Sequence, residues 1–551
     1  MPYVIGADFG TLSARFILVD PKNGEETHTV ILSYPHGVMD QVLSDVTLPE
    51  DYALQDASDY LEVLEKGIRK LITEAEVSGD RIIGIGIDFT ASTILPVDRD
   101  LKPLSTHDEY RNNPHAYVKL WKHHAAQAHA TKAAEIARER GERFIERYGN
   151  QISSEWMIPK VMEIINEDRA LYDSTARFIE AGDFIVSRLI GSESRSACQA
   201  GYKAFWNKHD GYPSKDYFKA LDPGLETLIA DKMPGTVKPV GSIAGFLTET
   251  MSEKLGLKAG IPVTTAYIDA HSAVPALGIT TPGKMVMILG TSTCHMVLDE
   301  KEILVKGISG VVEDGIIPGL YGYEAGQASV GDALDWFVDH LLPERYAKEA
   351  SERGISPYAL LEEKALKKFP GEAGLVALDW LNGNRSILSD SDLSGLIVGL
   401  SLRTSPEDIY RALIEATAYG TRVIIEEFTK EGIAIDELYA TGGISKKSPL
   451  FMQIYADVTD RTIRIGKSDQ AVALGSAIAA AAAAGKEQGG YDSIREASER
   501  MGKLEDTVYV PNPTNVARYE KLYAIYRELH DGFGSADPSV MHRLKTMKRG
   551  M

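Results

Sequence analysis

Three glycine-bearing segments and one aspartate carry the residue types best suited to chemistry in this chain. In the first segment, an apolar run from Tyr3 meets Asp8-Phe9-Gly10-Thr11, and a second apolar run, Phe16 to Val19, leaves it. This pattern predicts a tight β-hairpin whose glycine lets backbone N–H groups approach a ligand. The tip also carries the hydroxyls of Thr11 and Ser13 and the guanidinium of Arg15. Amide and hydroxyl donors suit phosphate oxygens, and Asp8 suits a cation held through water, so the loop reads as a nucleotide–metal loop.

The second segment, Gly290-Thr291-Ser292-Thr293, follows the apolar run from Lys284 and repeats the strand–tip–strand plan. Its N–H groups and hydroxyls would hold a terminal phosphate opposite the first hairpin. In the third, Thr441-Gly442-Gly443 joins a strand to a helical stretch with Pro449. A Gly-Gly bend lets a flat purine lie against backbone with no Cβ in the way. Any one of these segments alone is compatible with an ordinary turn, and the three in this order are far more specific.

Asp269 ends the apolar strand that begins at Pro262, between the two halves of the chain. A carboxylate there would accept the proton of an attacking hydroxyl. Phosphoryl transfer asks little more of a protein than that base, positioning, a metal and charge neutralisation. An aspartate at such a position also serves as a helix N-cap. Lys203, Glu324 and the turn after Asp88 could meet a small polyol, and Trp121 could stack on a sugar face. Taken singly, these read as a surface lysine, a loop carboxylate and a helix-core tryptophan.

These groups must be held by a large scaffold. The chain has 551 residues, too many for one core. Apolar residues make up 44% and charged residues 25%, the balance of a soluble globular protein. A net charge of −20 argues against nucleic acid or an anionic membrane as partner, but not against ATP. Two distant cysteines, Cys198 and Cys294, exclude a disulfide framework and fit a reducing cytoplasm. The start is strand-patterned and lacks a secretory leader's character. Ala471 to Ala484 is too short and too weakly apolar to span a membrane, and is expected to be a buried helix packed closely on a neighbour. His123, His124 and His129 read as a solvated helical run without metal spacing, and the basic end from His542 as a frayed tail.

The hydrophobic pattern predicts strands at 3–7, 14–20 and 27–34, a helix over 57–75, and a buried strand ending in Asp88-Phe89-Thr90. Helices are expected over 117–147, 158–168 and 174–189, then strand and loop through Lys203 to Trp206. The second half reads as strand 395–400, helix 406–431, strand 437–440, helix 449–459, strand 462–465 and helix 471–484. A polar helical stretch, 485–509, and a last helix, 515–530, follow. Two α/β halves with a phosphate-type hairpin each suggest a duplicated fold closing on a central cleft.

Asp8-Phe9-Gly10-Thr11, Asp269-Ala270-His271, Gly290-Thr291-Ser292 and Thr441-Gly442-Gly443 together resemble the FGGY carbohydrate kinases of the actin/Hsp70/sugar-kinase superfamily. Gly395 to Leu400 with Asp408 to Glu415 is close to that family's second signature, departing at Leu413. The first signature is weaker: Lys160 is present, but Met162 stands where tryptophan is usual. The stretches 113–124, 290–296 and 510–519 resemble a ketopentose-specific branch. Ala91-Ser92 replaces the Arg-Glu pair of glycerol kinases, and the Met-His of xylulokinases is absent too.

The resemblance implies an α/β, duplicated RNase H-like fold, with residues 1–268 holding the sugar site and first hairpin and 269–551 the adenosine site. It implies transfer from ATP–Mg²⁺ to a ketopentose of arabinose catabolism, with Asp269 as base. Ala91, Lys203, Asp269 and Glu324 would line the sugar. Gly10, Thr11, Arg15, Gly290 and Thr291 would face the phosphoryl group, and Gly442 and Gly443 the adenosine. Asp8 would position magnesium through water, with Asp269 a further candidate for the metal. A homodimer is what related kinases suggest. The competing expectations are another ketopentose and, more remotely, an actin- or Hsp70-like ATPase switch.

Overall fold

The computed structural model describes residues 1–549. Two seven-stranded sheets share one plan. In the first, Tyr3–Phe9 pairs antiparallel with Ser13–Asp20, which pairs antiparallel with Glu25–Ser33. On its other side Tyr3–Phe9 pairs in parallel with Ile82–Phe89, which is parallel to Pro262–Thr264. In the second, Gly283–Leu289 pairs antiparallel with Thr293–Asp299, and that strand with Tyr321–Gln327. Ile435–Thr441 and Ile463–Gly466 add in parallel on the other side. Order and direction match across these five strands of each sheet, so the expected duplication is present.

Alternation along the strands divides the core. Ile5, Ala7 and Phe9 face a cluster that includes Tyr60, Leu64 and Ile68 of the helix Ala57–Glu74. Val4, Ile17 and Val19 point the other way, into a layer shared by both halves. Val286 and Met296 of the second sheet enter that layer from the opposite side. Between them lie the short helix Asp269–Ala276 and the alanine-rich helix Ala471–Ala484. Glycines on the strands let the second helix approach. A Cβ on Gly86 would lie 1.9 Å from the Ser476 carbonyl oxygen, and one on Gly6 2.0 Å from that of Ala473. This is the close packing that the alanine run predicts.

Several expectations fail. The helix expected over 117–147 is confined to Gln127–Arg140 and a 3₁₀ stretch, Arg143–Tyr148. Residues 174–189 divide into the strand Arg177–Glu180 and the helix Ala181–Ile190. Lys203 ends a helix, Ala197–Lys203, rather than a loop. The stretch 485–509 contains one short helix, Ile494–Met501, and then an edge strand, Leu504–Tyr509. The basic end is a helix, Ser539–Arg549; Met541 is buried in the core, and His542 lies 2.7 Å from Asp390. Gly550 and Met551 lie outside the described residues. Tertiary partners decide each of these, since local preference is a weak prior that packing overrides.

Candidate active site

At the first hairpin tip the Gly10 N–H donates to the Ser13 carbonyl at 3.1 Å, closing the turn. The carbonyls of Gly10, Thr11 and Leu12 are held from behind by the Tyr34 hydroxyl, Gln55 Nε2 and the Tyr34 N–H. In a trans peptide N–H and C=O point oppositely, so the Thr11 and Leu12 amides are turned away from those anchors. Trp121 Nε1 donates to Thr11 Oγ1 at 3.1 Å, tying a loop to the tip. Trp121 is half-buried and lies in no helix, contrary to the helix-core expectation.

Asp8 and Asp88 stand opposite each other in the parallel register. Arg15 reaches Asp8 Oδ2 at 3.1 Å, and the Ser476 hydroxyl reaches Asp88 Oδ2 at 2.6 Å. The two remaining Oδ1 atoms are buried and meet no N–H or hydroxyl donor, so each carboxyl is left with the other. Burial and then the Asp8 charge push Asp88 well above the carboxylate range. Burial raises Asp8 as well, with Arg15 opposing. Of the two carboxyls, Asp88 is thus the one held further above its usual range.

Asp269 opens the bridging helix, and its Oδ1 accepts from the Ala270 N–H at 2.6 Å. Burial, then the charge of Asp8, raises it to about 7; Glu324 adds to this and Lys203 opposes it. The Lys203 ammonium lies 2.9 Å from Glu324 Oε2, and His271 Nε2 lies 3.4 Å from the same oxygen. Glu324 sits on a strand and Lys203 is buried, so neither is the surface or loop group its local sequence suggested. Burial opposes ionisation of Glu324, but Lys203 and His271 hold it well below its usual range. Cys294, three residues beyond Thr291, feels Glu324, Asp269 and Lys203, so the second hairpin borders the same cluster. Both cysteines are free thiols.

Gly290 repeats the first hairpin's closure, donating to the Ser292 carbonyl at 3.1 Å. Its carbonyl accepts from Gly331, and that of Thr291 accepts from Val330 and Asp332. Gly442 has φ +98°, a conformation that favours glycine, and a Cβ there would lie 2.2 Å from the Leu289 carbonyl oxygen. Gly443 has no atom within 4 Å of where its Cβ would stand, so it borders open space. Ile288 pairs with Thr441, so the Gly290 tip and the Gly442 turn share one sheet edge. Ser13 starts the outgoing strand, and Ala91 lies half-buried in the turn after Asp88.

The sequence pattern missed several buried polar groups. His123 is fully buried and bonds Glu163 Oε2 at 2.9 Å, correcting the solvated reading. Lys119 bonds the same carboxylate at 2.8 Å. Ser476 is the one hydroxyl in its alanine-rich helix, a signal that could have marked it. Lys160 and Glu180 are also buried beneath the turn at Ala91.

A duplicated hairpin sheet with acidic and glycine-rich edges around a bridging helix defines the actin/Hsp70/sugar-kinase class. The chain belongs to the FGGY family of carbohydrate kinases: the N-terminal domain matches over residues 3–276 and the C-terminal domain over 285–484. It is 53% identical to a ribulokinase of Halalkalibacterium halodurans over 548 residues, covering 99% of this chain and 97% of that one. It is 54% identical to a ribulokinase of Bacillus licheniformis over 539 residues, 98% of each. Among solved structures, a ligand-bound xylulose kinase from Lactobacillus acidophilus superposes with TM-score 0.79 at 18% identity, over 97% of this chain and 99% of that one. Plasmodium falciparum glycerol kinase with ADP superposes at 0.75 and 17% identity, over 96% and 98%. At such identities these structures establish the fold alone.

Proposed function

We propose that this chain transfers the terminal phosphoryl group of ATP to L-ribulose, giving L-ribulose 5-phosphate, a step of arabinose catabolism. The observation that carries the reading is Asp269: a half-buried carboxyl raised to about 7, between the Asp8 hairpin and the Lys203–Glu324 pair. The near full-length identity to ribulokinases supports the choice of sugar. Asp269 accepts the proton of the terminal sugar hydroxyl as that oxygen attacks the phosphoryl group. Lys203 and Glu324 orient the sugar hydroxyls, Ala91 leaves room for the carbon chain, and Trp121 covers a face. Thr11, Ser13 and Arg15, with Gly10, Gly290 and Thr291, surround the phosphates; Gly442 and Gly443 border the adenosine.

The buried, donor-free Oδ1 of Asp8 fits a cation. Asp8 would hold magnesium through water, with Asp269 a further candidate, and the ion when bound would neutralise phosphate charge. The division near residue 268 gives the first half the sugar and the second the adenosine. We assign the protein to the cytoplasm, as a homodimer; no helix among the described residues is long and apolar enough to cross a membrane.

The test is ADP release from ATP–Mg²⁺ with L-ribulose, D-ribulose, both xyluloses and glycerol. L-ribulose should be preferred. Turnover of D-ribulose or a xylulose alone overturns the sugar and keeps the kinase. ATP hydrolysis equal with and without sugar overturns the kinase in favour of an ATPase switch.

A further inference from the structure

Lys160 is completely buried, and no carboxylate lies within ion-pair distance of it among the described residues. Its ammonium spends all its donors on backbone: the carbonyls of Ser92 at 2.5 Å, Leu120 at 2.7 Å and Lys119 at 3.4 Å. These carbonyls belong to two segments distant in sequence, which meet at the Ile94–Lys119 strand pairing just beyond the turn. Ser92 follows Ala91, and Leu120 precedes Trp121. Trp121 in turn holds Thr11 of the first hairpin. Ser92 has φ +52°, a left-handed conformation that costs a non-glycine residue free energy and needs support from its surroundings. Its hydroxyl is buried without a partner, so the side chain does not supply that support.

A bare ammonium is costly to bury, and an apolar side chain of the same length would fill this space more cheaply if packing were the only requirement. What the apolar chain would lack is three directed donors. We infer that Lys160 is a positioning residue for sugar binding: it clamps the Ala91–Ser92 turn to the Leu120–Trp121 loop and so keeps both at fixed distance from the phosphate hairpin. The inference rests on the sugar-kinase reading, since it takes Ala91 and Trp121 as sugar contacts. The helix Met157–Glu167 carrying Lys160 is itself anchored through Glu163, which receives Lys119 and His123. The clamp therefore stands on a rigid element.

The experiment is Lys160→Met, with the purified full chain checked by circular dichroism and thermal melting. The expected result is a rise of about 10- to 100-fold in the KM for the ketopentose, the effect of a small misplacement, with the KM for ATP unchanged. Adding Ser92→Gly should recover part of the loss, because glycine adopts the left-handed turn without the clamp. Unchanged sugar KM, or equal losses for sugar and ATP with no recovery by Ser92→Gly, overturns the inference. If Lys160→Met does not fold, Lys160→Gln, which keeps two uncharged donors on a shorter stem, must still raise the sugar KM selectively. The wild-type sugar panel tests the reaction separately: whichever sugar it turns over becomes the substrate for this comparison.

Discussion

Ser476 donates a 2.6 Å hydrogen bond to Asp88 across the seam between the two halves of the molecule. The serine belongs to the second half's alanine-rich helix and the aspartate to the first half's central strand. The bond fixes the carboxyl that faces Asp8, so the seam is tied directly to the edge that carries Asp8. Ser476→Ala leaves a buried carboxyl oxygen unpaired and should cost about 1–3 kcal/mol in denaturant unfolding. No loss of stability would detach the seam from the site.

Asp269→Asn keeps the shape of the side chain and removes its basicity. It should lower kcat by about 100- to 10,000-fold, the usual weight of a general base, with small changes in both KM values. A variant retaining most of its kcat removes Asp269 from the role of base.

The raised Asp269 also predicts a pH dependence. Only the ionised form accepts a proton, so kcat/KM should fall on the acid side of an apparent pKa near or below 7. A cation beside Asp8 offsets one of the charges that raise Asp269, so the acid limb should move to lower pH as magnesium increases. A profile flat from about pH 5.5 to 8 at both low and high magnesium contradicts this.

Glu163 with Lys119 and His123 predicts a pH-dependent stability. Burial opposes ionisation of Glu163, but its two partners hold it below its ordinary value, so its folded-state pKa lies below the unfolded one. Its contribution is complete above the unfolded value, about 4.3, and is lost as pH falls further. Glu163→Gln strands a buried ammonium and should cost about 3–5 kcal/mol at neutral pH. The gap from wild type should narrow in unfolding curves recorded below about pH 4.

Two glycines should behave oppositely. Gly86→Ala drives a Cβ into the Ser476 carbonyl and should destabilise by about 1–3 kcal/mol or more. Gly443→Ala meets open space, so its melting temperature should stay near wild type while the KM for ATP rises. Equal melting temperatures for both variants would refute the account of the seam.

The chain's own order of residues determined most of the architecture. Alternating apolar strands around Gly10 and Gly290 specify the two hairpins, because a two-residue period and a glycine tip are local properties. The alanine run 471–484 announces a close helix contact, and the apolar strand before Asp269 places a carboxylate at its end. Only tertiary structure decided how the polar groups pair. Lys203 and Glu324 lie 121 positions apart and Asp88 and Ser476 388 apart, yet each pair bonds in the core. His123 has a polar local sequence and Lys160 an apolar one, yet both are completely buried. A buried ionisable side chain is tolerated only where folding supplies a partner, and that partner is chosen by strand order and helix placement, which no local window of sequence contains.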